Sequence, residues 1–405
     1  MGSRLDSVPF SGIIRIRDLM YGVRDPFRLD QGDVSFDVPD SVKEAMRRAI
    51  TTNQSHYAQT TGLPRLRELL VEKLKTRNAI PIGNPDEILV TAGGIHAIYI
   101  ACQGLLDPGD EVIVPDPLWP PAVGNVLAAQ GVPVPCPLHP ERGWRFDLDE
   151  LASRITPATR AVYVNSPQNP TGGVLTRDDL AGIAALAERH DLWVISDEAY
   201  EDVVFGDTAH LSIASLPGMY ERTLPIYTFS KSWAMTGLRL GYVAVRNATL
   251  RERMRKVLFF TASNVSTVVQ HGGIGALEGP QDSIDAFRRE LEARRDLFYD
   301  GIAEASNGHL AGDRPRGAFY AFVRMDGDWS AITGRQPDGG STRTSGASSR
   351  SWAAVEALIA RARIGCVPGA DFGSMGEGYI RFCFARERAE IQGALAEMRR
   401  LFGSS

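Results

Sequence analysis

From about Pro85 to Val245 the chain alternates short runs that are apolar throughout with longer segments that are apolar along one side only. DEILVT, DEVIVP, RAVYVN, DLWVIS and TLPIYTFS are runs of the first kind and predict strands. After Ala92-Gly93-Gly94, residues Ile95, Ile98, Tyr99, Cys102, Leu105 and Leu106 follow the i, i+3, i+4, i+7 spacing of one helix face. TRDDLAGIAALAERH opens with Thr176 and Asp179 in a capping-box relation, then sets Leu180, Ile183, Ala184 and Ala187 on one side. Strands without a polar face, separated by helices, predict an α/β fold with a mostly parallel sheet covered by helices on both faces.

The texture changes after about Asp285. The charged helix AFRRELEARRDLFYDGIAEA precedes the strand candidate GAFYAFVRM, the helix WAAVEALIARA and the strand candidate GYIRFCFA. This reads as a smaller α+β domain, which the first 45 or so residues join. The expected division is 1–45 with 286–405 for the small domain, and 46–285 for the large one. Thr333–Arg350, TGRQPDGGSTRTSGASSR, has alanine as its only apolar residue and predicts a mobile surface loop.

Composition narrows the function classes. A chain of 405 residues with 43% hydrophobic and 23% charged residues can bury the cores of two domains. A net charge of −5 argues against a nucleic-acid surface. No apolar run reaches the roughly 18 residues of a membrane span, and the N-terminus lacks a secretory pattern. Cys102, Cys136, Cys366 and Cys383 stand far apart with no C-x-x-C, as expected of buried reduced thiols in a cytoplasmic protein.

Ligands of open parallel sheets bind beyond the carboxyl ends of the strands. Those ends carry the Gly93-Gly94 turn, Ser166-Pro167-Gln168-Asn169-Pro170-Thr171-Gly172, Asp197-Glu198-Ala199-Tyr200 and Ser230-Lys231. The glycine turn lets a phosphate approach the backbone and the free N–H groups of a helix start, yet it matches neither a P-loop nor a dinucleotide fingerprint. Lys231 lies among Ile226, Phe229, Trp233 and Met235, where an amine needs a partner, a lowered pKa or a covalent role. Arg239, within the run LRLGYVAV, calls for an anion.

TFSKSWAMTGLRLGY resembles the lysine signature of the fold-type I pyridoxal-phosphate-dependent aminotransferases, class I/II, of the aspartate/aromatic kind. HYAQTTGLPRLREL, VTAGGIHAI, DPLWPP, VNSPQNPTG, SDEAYEDVVF, GAFYAF, VPGADFG and GYIRFCFA follow that family's order over nearly the whole chain. The resemblance implies a seven-stranded type of large-domain sheet, pyridoxal 5'-phosphate as cofactor, and amino transfer from an L-amino acid to a 2-oxo acid. Lys231 would form the aldimine and shuttle the proton; Asp197 would pair with the pyridinium nitrogen; Tyr200 and Asn169 would bind the phenolic oxygen. Arg239, Thr228 or Ser230, and the amides of Gly94 and Ile95 would hold the phosphate, with Trp119 stacked on the ring. Arg381 would clamp the substrate α-carboxylate, with Gly32, Trp119 and Asn169 beside the substrate. Tyr57 would reach the phosphate of a neighbouring subunit, so a homodimer is implied. Several aspartate-using relatives carry a lysine where this chain has Ile95, which leaves aspartate, aromatic and other neutral donors open. The same lysine would also serve a β-lyase, a cyclase or an amino-acid oxidase.

Overall fold

The computed structural model describes residues 4–334 and 349–403. Most of the expected Thr333–Arg350 loop lies outside the described residues. Its two ends are ordered: Thr333 closes the Ser330–Thr333 helix and Arg350 opens the Arg350–Ala362 helix.

The larger sheet has eight strands in the order Ile88–Thr91, Gly241–Ala244, Thr223–Thr228, Trp193–Asp197, Thr159–Asn165, Glu111–Asp116, Val132–His139 and Arg145–Phe146. The five strands from Thr223–Thr228 to Val132–His139 are mutually parallel. Gly241–Ala244 runs against both its neighbours, and the two-residue Arg145–Phe146 strand closes the far edge antiparallel. Alternation along each strand feeds two cores. Leu89, Val112, Val114 and Ile195 pack with the Gly94–Leu105 and Ala248–Ala262 helices. Ile88 and Val90 face the Pro64–Thr76 helix on the opposite side, and Ile113 and Val194 face the Arg177–Arg189 helix. With both faces covered, these strands carry no polar face, as their sequences indicate. The Thr176–Asp179 capping box forms as expected.

The smaller sheet is antiparallel, in the order Leu310–Ala311, Tyr320–Met325, Tyr379–Cys383, Val367–Pro368. The Asp282–Ala305, Arg350–Ala362 and Arg388–Gly403 helices share its core. The N-terminal segment belongs to this layer: Phe27–Arg28 pairs in parallel with Ile364–Gly365, and Ile16, Met20 and Leu29 are buried in the cluster that holds Phe298 and Phe382.

Register brings chemistry to one rim. Thr91, Gly241 and Thr228 are cross-strand neighbours, and Asn165 pairs with Asp197. Gly241 is what allows the glycine turn to settle there. A Cβ at this position would lie 2.6 Å from the Gly93 carbonyl carbon and 2.8 Å from the Gly94 nitrogen. Backbone at that distance cannot yield as a flexible side chain can. Gly241→Ala is therefore expected to lower the thermal unfolding midpoint, at a cost of about 1–3 kcal/mol. Gly237→Ala, which points into open space, serves as the control and should leave the midpoint unchanged. Equal midpoints for both variants would show that the turn does not depend on the bare α-carbon.

Candidate active site

Lys231 owes its position to a strand that stops early. Thr228 ends its strand, and its hydroxyl accepts from the Ser230 N–H (3.2 Å), starting the one-turn Phe229–Ser232 helix. The same Oγ1 donates to Ser230 Oγ (2.9 Å). Lys231 Nζ donates to Gly32 O (2.6 Å) and lies 5.4 Å from the Phe319 ring centroid. Among the described residues no carboxylate pairs with it, and burial pushes the amine down to about 8. Gly32 is needed for this approach, because a Cβ there would collide with the Tyr320 hydroxyl.

Asp197, at the end of the adjacent strand, faces the opposite problem. Burial pushes its carboxyl up to about 6, against the opposing pull of hydrogen bonds from Tyr163 OH to Oδ2 (2.8 Å) and from Ala199 N to Oδ1 (3.2 Å). It too has no ion-pair partner among the described residues. Tyr200 OH is 2.8 Å from Tyr320 OH, and burial holds both phenols well above their ordinary range. Asn165 organises the loop between them, donating to Asp197 O (3.0 Å) and accepting from Asn169 N (2.9 Å).

Arg239 departs from its expected place. It does not lie inside an apolar strand; it is an exposed residue at φ 58, between a short 3-10 turn and the Gly241–Ala244 strand. The strand is shortened because the guanidinium turns back, donating to Thr236 O (2.8 Å) and covering Gly93. Gly93, at φ 82, offers no side-chain cap, so among the described residues no side chain caps the first amides of the twelve-residue Gly94–Leu105 helix, which share the cavity with Arg239, Thr228 and Ser230. These groups form a pole for an anion.

Arg381 is 1% exposed, in a strand paired on both sides through Phe322 and Val367. It donates to Asn169 Oδ1 (3.0 Å) and Asp30 O (2.8 Å), lies 4.4 Å from the Tyr320 ring centroid, and leaves its Nε without a partner. A buried guanidinium without a carboxylate awaits one.

One cavity of about 270 Å³ is lined by Gly32, Gly94, Ile95, Trp119, Asn169, Asp197, Tyr200, Thr228, Ser230, Lys231, Arg239 and Arg381. Every expected site residue is thus brought together except Tyr57, which is 92% exposed and outside the cavity. Sequence reasoning missed Tyr320, Asn165, Ile98 and Ile13 on the wall, and Tyr163 behind Asp197. Tyr163 shares strand parity with Asn165, which was the available signal. Nothing local to Ile13 announces its place, since the fold of the N-terminal segment puts it there.

The family model for aminotransferase class I and II matches residues 24–397. The aspartate aminotransferase of Pyrococcus abyssi is 36% identical over 99% of this chain and 98% of its own length. The aromatic-amino-acid aminotransferase 2 of Thermococcus litoralis is 34% identical over the same shares. Among solved structures, the aspartate aminotransferase from Thermus thermophilus with maleate superposes with a TM-score of 0.88 at 33% identity, covering 99% of each chain. A likeness of this order, running from end to end, reaches well beyond the fold: the chain belongs to the class I and II aminotransferases and is an enzyme that moves an amino group from an amino acid to a 2-oxo acid.

Proposed function

We propose that this aminotransferase holds pyridoxal 5'-phosphate between the glycine turn and Asp197, with Lys231 as its covalent and proton-transferring residue. The observation that carries this reading is a pair of unlike groups in one cavity, unpaired among the described residues: the half-buried Lys231 amine, held down to about 8, and the buried Asp197 carboxyl, held up to about 6. Neither state is stable in isolation, and both suit a ligand with an aldehyde and a basic ring nitrogen. The uncapped amides after Gly93, with Arg239, Thr228 and Ser230, suit its phosphate dianion.

When bound, the cofactor carries the amino group and its protonated ring draws off the electrons left by Cα–H cleavage. The rest is the work of the chain. Asp197 keeps a proton on the ring nitrogen, and Tyr163 keeps Asp197 oriented. Tyr200 and Asn169 donate to the phenolic oxygen, and Trp119 covers the ring. Arg381 takes the substrate α-carboxylate with its guanidinium, which has no carboxylate partner among the described residues, fixing Cα before Lys231. Lys231 Nζ, neutral above about pH 8, takes the proton from the substrate Cα and returns it during transfer. Gly32 and the Gly12–Tyr21 helix close the cavity against water. We assign residues 46–285 to the cofactor-holding domain, and 1–45 with 286–405 to the domain that closes on it. The exposed Tyr57, together with exposed Ile50 and Phe260, supports a homodimer in which Tyr57 reaches the neighbour's phosphate. Four buried free thiols suit a reducing compartment, and we place the enzyme in the cytoplasm.

Hydride reduction followed by peptide mass mapping should place the cofactor on Lys231. Lys231→Ala should lose that link, with kcat/KM falling by about 10⁴-fold or more; a link retained in the variant would contradict the assignment. Asp197 gives a prediction with a sign. Its folded pKa lies above the unfolded value, so its favourable contribution is complete below about 3.8, fades as pH rises to about 6, and leaves a cost at neutral pH. Cofactor-free Asp197→Asn should therefore unfold later than cofactor-free wild type at pH 7.5, by about 3 kcal/mol. The two should converge near pH 4, and the variant should also bind cofactor more weakly. A destabilised variant at pH 7.5 would remove the idea of an uncompensated acid. In sedimentation the protein should be dimeric, and Tyr57→Phe should weaken cofactor retention roughly tenfold without dissociating the dimer, as loss of one hydrogen bond to a charged group would.

A further inference from the structure

The cavity holds few charges among its described lining residues: Lys231, Arg239 and Arg381 are the cations and Asp197 the anion. On the reading above, the phosphate takes Arg239, the α-carboxylate takes Arg381, the ring nitrogen takes Asp197, and Lys231 does the proton transfer. Among the described lining residues of this chain, no charge is left for the substrate side chain. The remaining wall is uncharged, and Ile13, Ile95, Ile98 and Trp119 are its large apolar side chains. Ile95 keeps 39% of its surface exposed on a helix whose Ile98, Cys102 and Leu105 are buried, so its apolar surface is turned to the cavity. Ile13 packs on the Phe322–Val367–Phe372 cluster. The Phe372 ring lies 4.9 Å from the Arg381 guanidinium. Ile13 therefore stands beside the carboxylate clamp, where a side chain on Cα must project.

A special contact fixes Ile13 there. Gly12 opens the Gly12–Tyr21 helix, and a Cβ on it would collide with the Asp371 carboxylate. Ser11 caps the same helix by accepting from Ile13 N (3.3 Å). Asp371 thus sits against the helix N-terminus, a favourable place for an anion. Its Oδ2 is buried without a hydrogen-bond partner, and burial raises its carboxyl to about 6. A second carboxylate brought in on a substrate side chain would meet isoleucines and tryptophan, with this acid one residue behind Ile13. Desolvation and repulsion then act in the same direction.

We propose that the amino donor of this enzyme carries a large uncharged apolar side chain, and that Ile13 is a specificity-determining residue that contacts it. This rests on the aminotransferase reading with Arg381 as the α-carboxylate clamp.

The test uses the holoenzyme in single-turnover half-reactions with L-phenylalanine, L-leucine, L-alanine, L-aspartate and L-glutamate, followed by the cofactor's absorbance. Phenylalanine and leucine should exceed aspartate and glutamate by about a hundredfold in apparent second-order rate constant. A hydrophobic contact of this kind is worth roughly 10–200-fold in discrimination. Ile13→Ala should lower the phenylalanine-to-alanine ratio about tenfold, Ile13→Val should largely restore it, and Ile13→Lys should raise aspartate relative to phenylalanine. Thermal melting of each variant shows whether it folds, and the wild-type panel decides the matter if one does not. Aspartate or glutamate within tenfold of phenylalanine would overturn the proposal, including the case in which a second copy of the chain supplies the missing cation. So would a phenylalanine-to-alanine ratio unmoved in a folded Ile13→Ala. If no amino acid converts the cofactor, the underlying assignment of Lys231 and Arg381 fails, and this proposal falls with it.

Discussion

Half-buried Lys231 and buried Asp197 stand at the ends of adjacent strands without pairing with each other or with any other described residue of opposite charge. That constraint sets the terms for the rest of the molecule. A protein that only needed to be stable would join the two groups in an ion pair or replace both by apolar residues. Here each is held in its less charged direction by burial, the amine toward about 8 and the acid toward about 6. Keeping them apart needs a rigid support, and the parallel strands supply it. Asp197 is held by the Tyr163 hydroxyl from the next strand, while Lys231 is lifted by the Thr228-capped turn.

A second set of buried charges is paired in the ordinary way, and the contrast is informative. Glu198 accepts from Ser196, Ser212, Tyr227 and His210 within 3.0 Å. Burial opposes its charge, yet these bonds hold its carboxyl below the usual range. His210 is likewise opposed by burial and lifted by its bond to Glu198. Next to it, Lys73 and Glu201 form a buried pair at 2.7 Å, with Asn78 bonded to both. Within the run Ser196–Asp202, one face therefore locks the segment to the core and the other leaves Asp197 unmet. Ser232, next to Lys231, donates to Asp202 (2.5 Å), so the lysine turn is tied to the same framework.

The small-domain layer meets this rim with the complementary charge. Arg381 is buried between Tyr320 and Phe372 and bonded only to an amide oxygen and a backbone carbonyl. Its bond to Asn169 crosses from the smaller sheet to the loop after the Thr159–Asn165 strand, so the two are set against each other directly. Gly32 does the same for the lysine, since its carbonyl holds Nζ and its missing side chain makes room for Tyr320.

Much of this was legible in the sequence because it depends on local order. Apolar runs with no polar face specify covered parallel strands, and residues just after such runs fall at a common rim whatever the details of packing. Lys231, Asp197, Asn169 and the Gly93-Gly94 turn were found that way, and the motif order supplied Arg381 and Gly32. What stayed hidden depends on contacts between distant segments. The left-handed turn at Arg239 and the open α-carbon of Gly241 follow from how the glycine turn packs on the neighbouring strand. Tyr163 serves Asp197 through strand register, and Tyr320 meets Tyr200 across 120 positions. Ile13 reaches the cavity through the docking of Gly12 on Asp371, which lies near the other end of the chain. Periodicity and strand-end position determined the sheet and the polar groups at its rim, because those follow from each segment's own hydrophobic pattern. The rest of the cavity lining was decided only in three dimensions, because side chains from segments far apart in sequence share a wall once burial draws them together.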